Sequence, residues 1–398
     1  MRIWDLKSNS MYILFWISLF FIIYTYVGYG ILLYVILKLK TMLKGKKDPI
    51  AVGYTPTLTF IVAAYNEAYC IREKIENTLT LEYPDDKIEF IFVTDGSTDD
   101  TPTIIKEYPR IKLLHKDGRS GKIAAVHRAM QEVKTDIVVF TDANTMVNKQ
   151  ALLLMSRHYS DPTVGAIAGE KRVHIEETAD ATAGEGFYWK YESKLKKWDS
   201  ELYSVVGAAG ELFSIRTDLY EPVEPDTILD DFMISMNIAR KGYRIIYEPE
   251  AYAMEKTSAD TAEELKRKIR ISAGGVQSTL RLKSLLLPFK QPVLTFEYIS
   301  HRILRWVLTP YLMILVFILN IFFVVNVGWL GLYGFILAAQ ILFYGSALLG
   351  RILEAKQMKI KIFFIPYYFC LMNYAVIAGM FRYLFGEQSV LWEKAKRK

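Results

Sequence analysis

Cysteine is almost missing from this chain: 2 in 398 residues, Cys70 and Cys370, with no second thiol or metal-ligating neighbour beside either. A disulfide framework and a thiolate metal site are therefore excluded. The 5 histidines are scattered, and His115 and His127 read as structural side chains. Internal repeats, low-complexity tracts and long linkers are also missing, "KGKKDPIAVGYTP" being only a short passage between segments. The net charge of +6 comes largely from lysines beside apolar runs, and no nucleic-acid motif accompanies it, so no nucleic-acid partner is expected.

The most informative absence is that of charge over long runs. Residues 8–37 carry none for thirty positions, more than the ~20 a helix needs to cross a bilayer. The run is too long for the apolar region of a signal peptide and reads as a retained anchor. Lys38, Lys40, Lys44, Lys46 and Lys47 follow it, and place the next segment in the cytoplasm. Residues 306–350 form a second uncharged block, enough for two spans turned at "NVGWLG", and residues 362–381 a third. Three spans after a cytoplasmic domain would leave the basic tail "WEKAKRK" outside, whereas its charges favour the cytoplasm. Pro366 and Asn373 permit a broken or interfacial last helix, so the side of the C-terminus stays open. The expectation is a multi-pass protein of the plasma (inner) membrane with the lipid bilayer as a partner.

Residues 55–300 have ordinary globular composition. "TLTFIVAA", "IEFIFVT", "IKLL" and "DIVVF" read as strands separated by helical runs, which predicts an α/β fold with a mainly parallel sheet. In such sheets ligands bind beyond the carboxyl ends of the strands. There the sequence puts "AAYNE", "VTDGSTDD" and "VFTDAN", so Glu67, Asp95 and Asp142 share one edge. Turn chemistry would supply glycine, asparagine or proline as readily as acids, and the repetition favours a binding edge. Asp142, with the amide oxygen of Asn144, suits Mg²⁺ or Mn²⁺ beside a diphosphate.

Gly118, Ser120 and Gly121 precede a helix start, where free N–H groups favour an anion, and Lys122 adds a positive charge. The P-loop spacing is absent, and a well-capped helix explains the segment as readily as a phosphate contact. Further on, Asp230 and Asp231 open an amphipathic helix; one acid could cap it while the other, in a cleft, accepts a proton from an attacking hydroxyl.

In this order, "AAYNE", "TDGSTDD", "GRSGK", "TDAN", "VGAAGELFSIR" and "LDDF...KGYRIIYEPEA" resemble the family 2 glycosyltransferases of GT-A fold, in particular the membrane-bound relatives of cellulose, hyaluronan and poly-N-acetylglucosamine synthases. The resemblance covers residues 55 to about 285. It implies that Tyr65, Glu67 and Asp95 hold the uridine, that Lys122 lies near the nucleotide, that Asp142 binds metal, and that Asp231 is the general base with Asp230 beside it. Gly207–Gly210 correspond to a loop near the acceptor. Asn144 stands where the family usually has an Asp. Processive relatives carry Q-x-x-R-W; here "GGVQSTLRLKS" has Gln277, Arg281 one position late and Leu282 in place of the aromatic. Gln277 and Arg281 are kept as diphosphate or acceptor contacts. The segment from Thr261, with Glu264 completing a capping box, reads as an interfacial amphipathic helix whose basic residues anchor it.

The expected organisation is an anchor at 1–40, a cytoplasmic GT-A domain at 41–260, an interfacial helix region at 261–300, transmembrane helices at 301–385 and a basic tail at 386–398. The expected activity is metal-dependent, inverting transfer of a hexosyl unit from a UDP-sugar to a lipid-linked or growing surface glycan. Processive polysaccharide synthesis is the alternative, and export or assembly partner proteins are admitted by either. A membrane protein that binds nucleotide sugars without turning them over is disfavoured, because it has little use for a base at Asp231.

Overall fold

The computed structural model describes residues 3–45, 53–174, 182–256, 261–356, 358 and 360–386. Lys46, Lys47 and the basic tail, whose charges bear on the expected topology, lie outside them.

The chain opens as one rod: α1 (Ile3–Ile23), a π-helical stretch at Tyr24–Gly28 and α2 (Tyr29–Lys44). Then come β1 (Leu58–Ala64), α3 (Ile71–Leu79), β2 (Ile88–Asp95), α4 (Thr101–Lys106), β3 (Ile111–Lys116), α5 (Lys122–Met130), β4 (Ile137–Asp142), β5 (Thr145–Val147) and α6 (Ala151–Ser156). The second half holds β6 (Val164–His174), α7 (Thr182–Leu202), β7 (Leu212–Arg216), α8 (Asp230–Arg240), β8 (Arg244–Lys256) and α9 (Thr261–Arg281). The end is helical: α10 (Pro292–Tyr298) runs through a π-helical stretch, Ile299–Leu308, into α11 (Thr309–Val327), followed by α12 (Leu332–Ala355) and α13 (Lys361–Leu384).

The strands form one sheet in the order β3-β2-β1-β4-β7-β6-β8-β5. β1 pairs in parallel with β2 and β4, and β2 with β3, so the strands read from sequence all end on one edge. β7 enters antiparallel to both β4 and β6, a single reversed strand beyond which β6 and β8 again run in the direction of β4. Side chains alternate along each strand. Leu58, Phe60 and Val62 of β1 join Ile71 and Ile75 of α3 on one face, while Ile61 packs with Val126 of α5 and Ile234 of α8 on the other. This second core also takes in Leu282, Leu285, Leu294 and Tyr298, so the chain beyond α9 is built into the layer on this face of the sheet.

Among the described residues, four segments are long and apolar enough to cross a membrane: Asn9–Leu43, Pro292–Val327, Leu332–Ala355 and Lys361–Leu384. α7 ties the first two of these to the sheet. The Tyr29 hydroxyl donates to Asp199 at 2.5 Å, and the Lys40 ammonium donates to the carbonyls of Glu201 and Leu202 at 2.8 and 2.7 Å. Lys40 thus satisfies the C-terminal carbonyls of α7, where a cation is favoured. His301 is wedged between Asp199 and Glu192, and Arg305 reaches Glu192 at 2.7 Å.

Two expectations are revised here. α13 is unbroken through Pro366 and Asn373; the Asn373 amide donates back to the Phe369 carbonyl at 2.9 Å and accepts from the Tyr26 hydroxyl at 2.6 Å, so its polarity is absorbed without breaking the helix. The basic side chains of α9 mostly face protein: Arg267 meets Glu255 at 3.4 Å, Lys268 meets Glu264 at 3.3 Å and Arg270 donates to the Ile228 carbonyl at 3.3 Å. Acids on neighbouring elements and within the helix attract these cations inward.

Candidate active site

The three acid-bearing strand ends converge on an open cleft of ≈ 580 Å³ lined by Tyr65, Glu67, Asp95, Arg119, Lys122, Asp142 and Asn144. A smaller hollow of ≈ 300 Å³ adjoins it through Ala63 and Lys122 and reaches Gly210 and Asp230.

After β1 the chain must turn at once. Asn66 takes φ 54, a conformation asparagine tolerates, and its side-chain oxygen accepts from the Thr98 amide at 2.8 Å. The Glu67 amide donates to Thr101 Oγ1 at 2.8 Å, and the Ala68 amide to Asp99 Oδ2 at 3.0 Å. Asp99, Thr98 and Thr101 therefore lace two loops together, and Glu67 is left buried with the Cys70 thiol 3.3 Å from Oε2. Tyr65 lies under the Arg119 guanidinium, 4.0 Å from the ring centre.

The start of α5 is capped from within the protein. Asp95 Oδ2 accepts from the amides of Ser120 and Gly121 at 2.5 and 2.6 Å, and Arg128 approaches its other oxygen at 3.4 Å. The anion at this helix start is the protein's own carboxylate, which fits the capped-helix reading of these two amides and not the phosphate contact. The approach needs Gly96, at φ 69, where a Cβ would fall 2.7 Å from the Arg119 nitrogen.

Lys122 bridges the acids: its ammonium is 2.9 Å from Asp142 Oδ1 and 3.8 Å from Asp230 Oδ2. Burial disfavours its charge, but Asp142, Asp230 and Asp231 outweigh that and hold its pKa above the usual lysine value. Asp230 and Asp231 occupy the first turn of α8, and neither side chain caps it, the preceding residue being Leu229. Burial first, and Asp230 second, push the Asp231 carboxyl up to about 7 against the pull of Lys122. Gly210 supplies room: a Cβ there would stand 3.2 Å from Asp231 Oδ2 and 3.6 Å from the Lys122 ammonium.

Gln277 and Arg281 stand behind the cleft. Gln277 is buried, accepts from the Ile228 amide at 2.9 Å and donates to the Asp226 carbonyl at 2.8 Å. Arg281 donates to Thr227 Oγ1 at 2.8 Å and pairs with Asp226 at 2.7 Å. Both hold the segment that leads into Asp230 and Asp231, and Leu282 is fully buried in the core.

Residues not singled out from sequence also bear on the site. Lys74 is fully buried beneath the Asp142 turn, donating to Thr141 Oγ1 at 3.1 Å and the Thr145 carbonyl at 2.7 Å. Burial pulls its pKa down to about 7, against the field of Asp142. Its signal in sequence was a lysine on the apolar stripe of α3, beside Ile71, Ile75 and Thr78. Beside Gly210, Glu211 takes Lys171 at 2.7 Å. Burial opposes its charge, but Lys171 and Arg267 hold the Glu211 carboxyl well below the usual carboxylate range. Among the described residues no three His, Cys, Asp or Glu side chains group closely enough to hold a metal. The oxygen donors of Asp142 and Asn144 fit a hard divalent cation that keeps water and substrate phosphate as its remaining ligands.

The sequence profile of Glycosyl transferase family 2 matches residues 59–223. The chain is 26% identical over 279 residues to the poly-beta-1,6-N-acetyl-D-glucosamine synthase of Staphylococcus aureus (strain COL), covering 67% of each chain. It is 25% identical over 278 residues to that of Staphylococcus epidermidis, covering 66% of each. A solved structure, the mannosyltransferase PcManGT from Pyrobaculum calidifontis in complex with GDP-Man and Mn²⁺, superposes with a TM-score of 0.71 at 24% identity, over 94% of this chain and 100% of that one. That likeness shows the fold: a mostly parallel GT-A sheet carried on membrane helices.

Proposed function

Residues 59–223 being a glycosyl transferase family 2 domain, we propose that this membrane glycosyltransferase is a processive polysaccharide synthase, elongating an N-acetylhexosamine or related hexose polymer from a UDP-sugar. The similarity to poly-N-acetylglucosamine synthases supports this reading over the transfer to a lipid-linked acceptor first expected from the sequence. The observation that carries the chemistry is the convergence of Asp142, Lys122, Gly210 and Asp230 on adjoining hollows, with the Asp231 carboxylate directly behind Gly210.

In this reading Tyr65, Glu67 and Asp95 hold the nucleoside, and Lys122 turns its charge to the diphosphate. Asp142 and Asn144 would hold Mg²⁺ or Mn²⁺, which supplies charge neutralisation of the leaving diphosphate. Asp231, held near neutrality, takes the proton of the acceptor hydroxyl as that oxygen bonds to the sugar's anomeric carbon. The bond from that carbon to the diphosphate oxygen breaks on the opposite face, and configuration inverts. Asp230 keeps the base protonatable, and bare backbone at Gly210 leaves space for the acceptor. The lysines after the first span support a cytoplasmic catalytic domain in the plasma membrane.

Single addition to a lipid-linked glycan is the second reading, favoured by Leu282, which puts no aromatic surface in the cleft. Release of UDP by the reconstituted protein, with Mn²⁺, a panel of UDP-sugars and the product sized on a gel, decides. A long ladder from one donor supports the synthase; one added sugar, or release only with lipid extract, supports the alternative. Binding of UDP without release from any donor rejects both.

A further inference from the structure

Helix α13 has the length and apolarity of a membrane crossing, yet its neighbours place its two ends at one level. Depth in the bundle can be counted along α11 from Thr309, whose hydroxyl meets that of Thr25 at 3.1 Å. α12 runs antiparallel to α11: the Asn320 amide donates to Gln340 at 2.8 Å, and the Phe317 and Tyr344 rings lie 5.3 Å apart. Phe317 is ~12 Å below Thr309, and Gly350, six residues up α12 from Tyr344, returns ~9 Å of that at 1.5 Å per residue. Gly350 therefore lies within ~3 Å of the level of Thr309.

Gly350 packs on the start of α13, so closely that a Cβ there would meet the Phe363 carbonyl and come within 2.9 Å of Tyr367 Cβ. Near the other end, the Tyr311 hydroxyl donates to the Met380 sulfur at 3.0 Å, and Tyr311 is only ~3 Å below Thr309. In the middle, Asn373 accepts from Tyr26, the neighbour of Thr25. The stretch from Phe363 to Met380 is ~25 Å long, and these three contacts fall at about the same depth; between them the Phe369 ring reaches down to Phe343, whose backbone is ~10 Å deeper than Gly350. A crossing helix would spread them across most of the ~30 Å hydrocarbon layer.

We infer that α13 lies in the plane of the membrane boundary, on the side of the catalytic domain, with the leaflet lipids as its partner. The described residues then cross three times, and both ends of α13 stand on the catalytic side, which removes the conflict that a fourth crossing raises with the charge of the sequence. The side-chain pattern fits this placement. Phe364, Tyr368, Ala375 and Gly379 form the buried stripe, while Ile362, Ile365, Tyr374 and Phe381 are exposed. Arg351, Lys356 and Arg382 are exposed near its two ends, where anionic headgroups would meet them. On its inner face α13 carries α9: a Cβ at Gly379 would stand 2.6 Å from the Ile269 carbonyl and from Ser272 Cβ. Through α9 the leaflet supports the helix whose Gln277 and Arg281 hold the segment before Asp231.

The test uses the full-length protein in sealed vesicles oriented with the catalytic domain outward. An epitope placed after Lys398 is expected to be lost to protease together with the catalytic domain. Its survival while the catalytic domain is digested would overturn the proposal. Depth is read independently with a fluorophore on single cysteines at positions 362, 374 and 385, in a C70S/C370S background, quenched by lipids bearing nitroxides near the headgroup or near the bilayer centre. Equal quenching at the three positions, within about twofold and strongest with the shallow nitroxide, is expected. Deep-nitroxide quenching that peaks at position 374 would mark a crossing helix and reject the inference. Both arms are indifferent to the sugar transferred and stand apart from the synthase reading.

Discussion

Lys122 and Asp142 meet at 2.9 Å across the floor of the cleft, joining the first residue of α5 to the last of β4. The pair has a consequence for loading order. A divalent cation competes with the ammonium for Asp142, whereas an arriving diphosphate draws the ammonium away and adds oxygen ligands. Nucleotide and metal should therefore bind together better than either alone. Lys122→Met separates the two effects: Mn²⁺ alone should bind more tightly and UDP more weakly, each by several-fold, as expected for loss of a partly exposed charge. Calorimetric titration of each ligand checks this, and parallel changes in both affinities would contradict the competition.

Asp142→Ala removes the one carboxylate proposed for the metal. UDP affinity measured with Mg²⁺ or Mn²⁺ should fall at least tenfold, or ~1.4 kcal/mol, with little change when EDTA is present. If the metal dependence of UDP binding survives the substitution, the metal is held elsewhere.

The Asp231 carboxyl is pushed up to about 7 by burial and by Asp230. A general base works only when deprotonated, so kcat/KM should lose about tenfold per pH unit below that value. Asp230→Asn removes a charge that raises the pKa, and the acid limb should move to lower pH. Asp231→Asn should cut transfer by ~10²–10⁴-fold while UDP affinity stays nearly unchanged. A pH profile of the native protein that stays flat down to about 5 would exclude Asp231 as the base.

The parallel half of the sheet and its acidic edge were legible because a buried strand announces its end when Val, Ile and Phe give way to Asp and Asn. β7 was not, since no local pattern says that "ELFSIR" enters antiparallel beside β4. The helix-start amides of α5 left two readings open for a related reason: sequence shows the donors but not that Asp95, twenty-five positions earlier, reaches them. Lys74 was visible only as a polar residue on an apolar stripe, a sign of burial that carries no partner's name. Long uncharged runs located the membrane helices, but the level of α13 depends on contacts from Tyr26, Tyr311 and Gly350, which are far apart in sequence.

Gln277 offers a way to separate holding the base from being the base. Its amide is a double clamp on main chain, accepting from Ile228 and donating to Asp226, and no donor ligand proposed here touches it. Gln277→Leu keeps the volume but leaves the Ile228 amide without its buried acceptor, a loss of ~1–3 kcal/mol in the stability of this segment. Freed of the clamp, Asp231 should sample the productive position less often. kcat should fall about tenfold or more, ~1.4 kcal/mol in barrier, with UDP affinity and its metal dependence unchanged. Gln277→Glu keeps the acceptor for Ile228 but loses the donor to Asp226, and should lie between. A drop in UDP affinity equal to the drop in kcat would instead place Gln277 at the diphosphate.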